Sequence, residues 1–145
     1  MNEFKKSKCG KVFCSKSCSA LYHNSHKTTS IRRSKLEIWL ETQLLFDFPN
    51  VNILFNKNII GLELDIHLPD LNLAFEINGI FHYKPIFGKD KFLATQKNDK
   101  KKLEICIQKN IELYVLDVSN MIVFSPTTSK EIFDFIKEKI LIKKV

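Results

Sequence analysis

Glu63-Leu64-Asp65-Ile66-His67-Leu68-Pro69-Asp70-Leu71-Asn72-Leu73-Ala74-Phe75-Glu76-Ile77-Asn78-Gly79 reads as two strands joined by a tight turn. With a period of two, Leu62, Leu64, Ile66 and Leu68 share one face, and Glu63, Asp65 and His67 take the other. Beyond the Pro69-Asp70 turn, Leu71, Leu73, Phe75 and Ile77 form the apolar face, opposite Ala74, Glu76 and Asn78. If the apolar faces coincide, parity sets Asp65 directly across from Glu76 or one diagonal step away. Two carboxylates so placed repel each other unless a cation lies between them, so the pattern points to a Mg²⁺ site.

The elements around the hairpin follow from local signals. Ser34-Lys35-Leu36-Glu37 is a capping box ahead of an apolar stripe at Leu36, Trp39, Leu40, Leu44 and Phe48, which predicts a helix stopped by Pro49. Val51 to Phe55 is expected to be a short strand, and the hairpin strands to cover about 62–68 and 72–78. A helix is expected from about Asp90 to Asn110 with Phe92, Leu103, Cys106 and Ile107 on its buried stripe, followed by a strand at 111–118. Thr128 with Glu131 reads as a second capping box, opening a last helix that carries Ile132, Phe135, Ile136 and Ile140. The order α-β-β-β-α-β-α suits an α/β sandwich of restriction-endonuclease type, a mixed sheet flanked by helices. Residues 1–30 differ in texture, being polar and rich in Cys and His, so the expected division is a small segment at 1–30 and a main domain at 31–145.

Composition bounds the function. The chain has 145 residues, 44% of them hydrophobic, which excludes disorder as the default, and carries a formal charge of +7. A basic balance favours a polyanionic partner, although many basic proteins merely stay dissolved. No apolar run is long enough to cross a bilayer, and the lysine-rich start lacks the apolar core of a secretory signal. Four cysteines, three of them within the first eighteen residues, do not make a secreted disulfide framework. The expectation is an intracellular, reducing setting with no membrane partner.

Several residues are set beside the two acids. Asp99 falls within the expected buried stripe of its helix, flanked by Gln96 and Lys102, and a carboxylate there needs a metal, a histidine or a lysine as partner. A charge at the stripe's edge paired with Lys102 is the competing reading. His82 ends the segment after the Glu76 strand, where it could orient water or protonate a leaving oxygen, although a lone histidine is more often structural. Glu37 is explained by its capping box, yet a helix-borne acid beside such a hairpin can also touch a metal. Glu63 and His67 are expected to be solvated.

The run from Glu63 to Ser119, with Glu37 in the helix before it, resembles the PD-(D/E)xK nuclease superfamily, in its very-short-patch-repair-like and phage homing endonuclease branch. The resemblance rests on Glu37 in a helix, Glu63-Leu64-Asp65, Ala74-Phe75-Glu76-Ile77-Asn78-Gly79-Ile80-Phe81-His82-Tyr83, Gln96-Lys97-Asn98-Asp99-Lys100-Lys101-Lys102 and the strand at 111–116. It implies that Asp65 and Glu76 ligate Mg²⁺ and that His82 and Asp99 complete the site. The lysine expected two positions after Glu76 is Asn78 here. Related branches supply the basic group from the following helix, which makes Lys102 the candidate. Lys84, Lys89, Lys91, Lys97, Lys100 and Lys101 would then contact DNA phosphates, and Arg32 and Arg33 could join them or insert into the minor groove.

At the N-terminus, Cys9, Cys14 and Cys18 resemble the back half of a zinc knuckle. The usual four-cysteine set is one short, and His23 or His26 could supply the fourth ligand of a structural Zn²⁺. The alternative is a vestigial segment that binds nothing. The function expected is a Mg²⁺-dependent DNA endonuclease of homing or mobile-element type. Its rivals are an inactive DNA-binding module and a mismatch or junction repair nuclease.

Overall fold

The structure, a computed structural model, describes residues 15–25 and 33–145. The chain divides into two compact units, Met1–Arg33 and Ser34–Val145. In the first, the described part is a helix, α1 (Lys16–Ser25), and Cys9, Cys14, His26 and Arg32 lie outside the described residues.

The second unit runs α2 (Lys35–Asp47), β1 (Leu54–Asn58), β2 (Glu63–Leu68), β3 (Leu73–Asn78), α3 (Lys89–Gln108), β4 (Glu112–Asp117) and α4 (Pro126–Lys144). The strands form one sheet in the order β1-β2-β3-β4, antiparallel except for the parallel β3–β4 pair. Helix α3 is therefore the crossover that a parallel neighbour requires. It packs on one face of the sheet, while α2 and α4 cover the other.

The α2/α4 side holds the larger core. Leu36, Leu40 and Leu44 of α2 meet Ile66, Leu68, Leu73 and Phe75 of the sheet and Phe133, Ile136 and Ile140 of α4. These spacings of three and four put each helix's apolar residues in a single stripe. Each such side chain, once buried, contributes about 1.5–3 kcal/mol, which makes this layer the main source of stability. The α3 side is smaller, with Ile60, Leu64, Ala74 and Cys106 at its centre.

Four local expectations are corrected. Strand β1 starts at Leu54 because Pro49 and Asn50 turn the chain first, with the Val51 N–H donating to the Phe48 carbonyl (3.1 Å). Helix α4 starts at Pro126 with Ser125 as N-cap; the preset φ of proline begins the helix early and leaves Thr128 inside it, so the expected capping box does not form. Leu64 leaves the Ile66–Leu68 side and joins Ala74 and Cys106 on the α3 side. The alternation breaks at Asp65, and Asn56, bracketed in register opposite it, has a left-handed backbone (φ 49°). On α3 the buried face runs through Phe92, Thr95, Asp99, Lys102 and Cys106, while Leu103 and Ile107 are exposed. A largely polar face packs inward there because it meets polar groups, described next.

Candidate functional site

The β2–β3 ladder pairs Leu68 with Leu73, His67 with Ala74 and Ile66 with Phe75. One step further in that register, Asp65 falls opposite Glu76. The rungs beyond are made by side chains. The Ile77 N–H donates to Asp65 Oδ2 (2.7 Å), and the Asp65 N–H donates to Glu76 Oε1 (3.1 Å). Both acids are thus anchored to the opposite strand, and Glu76 is only 4% exposed.

Helix α3 closes the site from above. Lys102 Nζ donates to Glu76 Oε2 at 2.6 Å. One turn earlier, Asp99 Oδ2 lies 2.8 Å from His82 Nδ1, and a further turn back Gln96 donates to the His82 carbonyl. Gln96, Asp99 and Lys102 recur every three residues, so a single stripe of the helix grips both β3 and the 3-10 turn Ile80–His82. In the sequence Gln96 stands as a flank of Asp99, and its i−3 spacing is the sign of its role.

The electrostatics follow from burial. Desolvation, then the neighbouring Asp65 charge, pushes Glu76 up to about 7, against the pull of Lys102. Asp65 is raised too, first by burial and then by the charges of Glu37 and Glu63, while the Ile77 N–H and Lys102 pull it down. Glu37 is therefore close enough to be felt at Asp65 although its carboxylate also forms the capping box, accepting from the Ser34 N–H (3.3 Å) and hydroxyl (2.7 Å). The site holds more negative charge than Lys102 alone offsets.

Its donor set fits a hard divalent cation. Among the described residues no three His, Cys, Asp or Glu side chains gather into a metal-holding cluster. The protein donors available are the two carboxylates and neutral oxygens, and Mg²⁺ commonly takes one or two carboxylates and keeps several waters. The buried side-chain oxygens of Asn56 and Asn78 have no hydrogen-bond partner. Asn56 is in register with Asp65, and Asn78 lines the same small cavity as Glu76, Asp99 and Lys102. Such unpartnered buried oxygens are costly unless something occupies them.

The remaining sequence-predicted residues fall elsewhere. Lys84 sits on the loop after β3, and Lys89, Lys91, Lys97, Lys100 and Lys101 are exposed on α3. Arg33 belongs to the first unit, as do Cys18 and His23, both on α1. His67, expected to be solvated, is buried between Leu54 and Ala74, and burial lowers its pKa. No helix among the described residues is long and apolar enough to cross a membrane. No family model matches the chain, and no curated protein matches it.

Proposed function

We propose that this chain is a metal-dependent DNA endonuclease with a restriction-endonuclease-like core of the PD-(D/E)xK type, in the very-short-patch-repair-like and phage homing branch. The observation that carries this reading is the Asp65–Glu76 pair, fixed strand to strand and met by the Lys102 ammonium from α3. The α-β-β-β-α-β order and the mixed sheet support it.

Asp65 and Glu76 would hold Mg²⁺, with the Asn78 side-chain oxygen nearby. When bound, the ion would supply charge neutralisation at the scissile phosphate and make an attacking water more acidic. The chain's own groups do the rest. Lys102, held by Glu76, presents a fixed positive charge where the motif lysine is absent and would stabilise the charge that builds on the phosphate. Asp99 binds His82 at Nδ1, so in the neutral ring Nε2 remains to exchange a proton with a reacting oxygen. Asp99 and Gln96 are positioning residues that set the histidine's place. The exposed lysines of α3 and Lys84 would track the phosphate backbone, and Arg32 and Arg33 would add basic contacts of their own. A structural Zn²⁺ on Cys9, Cys14, Cys18 and His23 belongs to the same proposal.

The test is cleavage of supercoiled plasmid with Mg²⁺, with Asp65→Asn as control. Mg²⁺-dependent nicking or linearisation that Asp65→Asn abolishes is expected. DNA retention without strand breakage would favour the inactive binding module.

A further inference from the structure

Between β3 and α3 the chain exposes aromatic rings that no core uses. Phe81, Tyr83 and Phe87 are 47%, 42% and 64% exposed, and Ile86 beside them is 51% exposed. Phe81 and Phe87 lie nearly parallel, with centroids 4.6 Å apart and planes at 24°. Lys91 Nζ stands 5.8 Å from the Phe87 centroid, and Lys84 and Lys89 are exposed on the same segment, with Asp90 the one acid among them. His82 lies in this run and turns inward to Asp99, so the patch adjoins the proposed catalytic groups.

We infer that this loop is a stacking platform for an unpaired base of a DNA strand, with Phe87 over Phe81 as the floor and Lys84, Lys89 and Lys91 meeting the phosphates. The inference rests on the nucleic-acid reading above and narrows its substrate to DNA with a single-stranded or opened segment. Every base has a face that can stack on an aromatic ring, and a lysine fringe follows the backbone charge. A paired base keeps both faces covered by its neighbours, so duplex alone cannot use the ring. The hollow beneath the pair is about 40 Å³, bounded by Phe81, Phe87, Lys91 and Phe92. That is water-sized, so the base is not swallowed; it lies on the exposed Phe87 ring, and the Lys91 ammonium that stands over the ring moves aside to the phosphate. A second copy of this chain would bring the same lysines against one another, and an apolar peptide would leave them unanswered.

The experiment is fluorescence anisotropy in EDTA, where cleavage is off, with a labelled oligothymidylate and a duplex of equal length. Phe87→Ala should weaken strand binding by about five- to a hundred-fold and leave duplex binding nearly unchanged. Phe87→Trp should keep the affinity, and its added indole emission should be quenched as the strand saturates. Trp39, the one native tryptophan, packs edge-on against Phe124 and Phe133 and gives the baseline. Equal losses on strand and duplex overturn the platform, as does an unquenched tryptophan. A concentration-dependent dimer that Phe87→Ala dissolves, or an RNA strand bound more tightly than DNA, overturns it equally. Stacking without cleavage in Mg²⁺ sinks only the nuclease reading, and cleavage without stacking sinks only the platform.

Discussion

Lys102 Nζ and Glu76 Oε2 stand 2.6 Å apart, with their side chains only 16% and 5% exposed. The pair joins the crossover helix to the central strand at the point where the motif lysine is missing from the strand itself. Without the ammonium, Glu76 keeps a proton instead of standing as a bare buried charge, so the fold loses less than the roughly 3–5 kcal/mol of a broken buried ion pair, but the site loses its fixed positive charge. Lys102→Met should therefore abolish plasmid cleavage and raise the Glu76 pKa further. Lys102→Arg should keep the fold and a residual rate. Undiminished cleavage by Lys102→Met would falsify its role in the reaction.

The raised acids give the metal-free protein a distinctive response to pH. Between the ordinary value of 4.5 and about 7, the folded state holds a proton on Glu76 that the unfolded chain has released. Stability from this group is thus full below about 4.5, falls as pH rises toward 7 and levels off above it, by on the order of 3 kcal/mol in all. Asp65 acts in the same sense. His67, whose pKa is lowered, acts in the opposite sense, losing stability as pH falls. Thermal melts of wild type and Glu76→Gln in EDTA separate them, since the difference between the two should grow from pH 5 to pH 8. Mg²⁺, which favours the ionised pair, should raise the wild-type Tm more at pH 8 than at pH 5.5.

Asp65→Asn keeps a carbonyl oxygen that can still accept the Ile77 N–H, so the hairpin should survive. It removes the charge that helps raise Glu76, and the slope described above should shrink. Mg²⁺ should no longer shift the melt. A variant that melts like wild type with and without Mg²⁺ would remove the shared-ion argument.

His82 and Asp99 should behave as a unit. His82→Ala is expected to slow cleavage by roughly 10²–10⁴-fold, the range of a lost acid–base group. Asp99→Asn should cost less, because the ring stays in place with a weaker partner. The double variant should be no slower than His82→Ala alone. Additive losses would mean that Asp99 acts on its own, apart from the histidine.

Ser34→Ala tests the entry to α2. Loss of the cap should cost about 1 kcal/mol, read as a lower urea midpoint at unchanged m-value. If Glu37 serves only the cap, the cleavage rate per folded molecule is unaffected. A change in that rate would tie Glu37 to the acids through the charge it already exerts on Asp65.

Signals confined to neighbouring residues were legible in the sequence. The Ser34–Glu37 box formed as read, because both hydrogen bonds lie within one helical turn. The parity of the hairpin holds from Ile66 to Leu68 and fails at Leu64, while the register, extended one step, still sets Asp65 opposite Glu76. What the sequence hid depended on distant partners. Leu64 changes sides where the alternation breaks at Asp65, beside the left-handed Asn56 of the neighbouring strand, a backbone feature that no period-two pattern displays. On α3 the apolar pattern points inward at Leu103 and Ile107, yet both are exposed. The face that does turn inward carries Asp99 and Lys102, which find partners on β3 and the following turn. Burial of His67 likewise needs both of its neighbouring strands, which no local pattern displays.

The side-chain rungs at positions 65 and 76 have a consequence for evolution under selection for robustness. Two β-branched apolar residues there would let main-chain pairing zip onward through the gap, giving a sturdier and more ordinary hairpin. The acids keep that gap open, so their presence is a standing penalty on folding that only a task performed at the opening can justify. Variants recovered from a screen for heat resistance should therefore lose these two carboxylates early, and whatever activity the protein has should disappear in the same step.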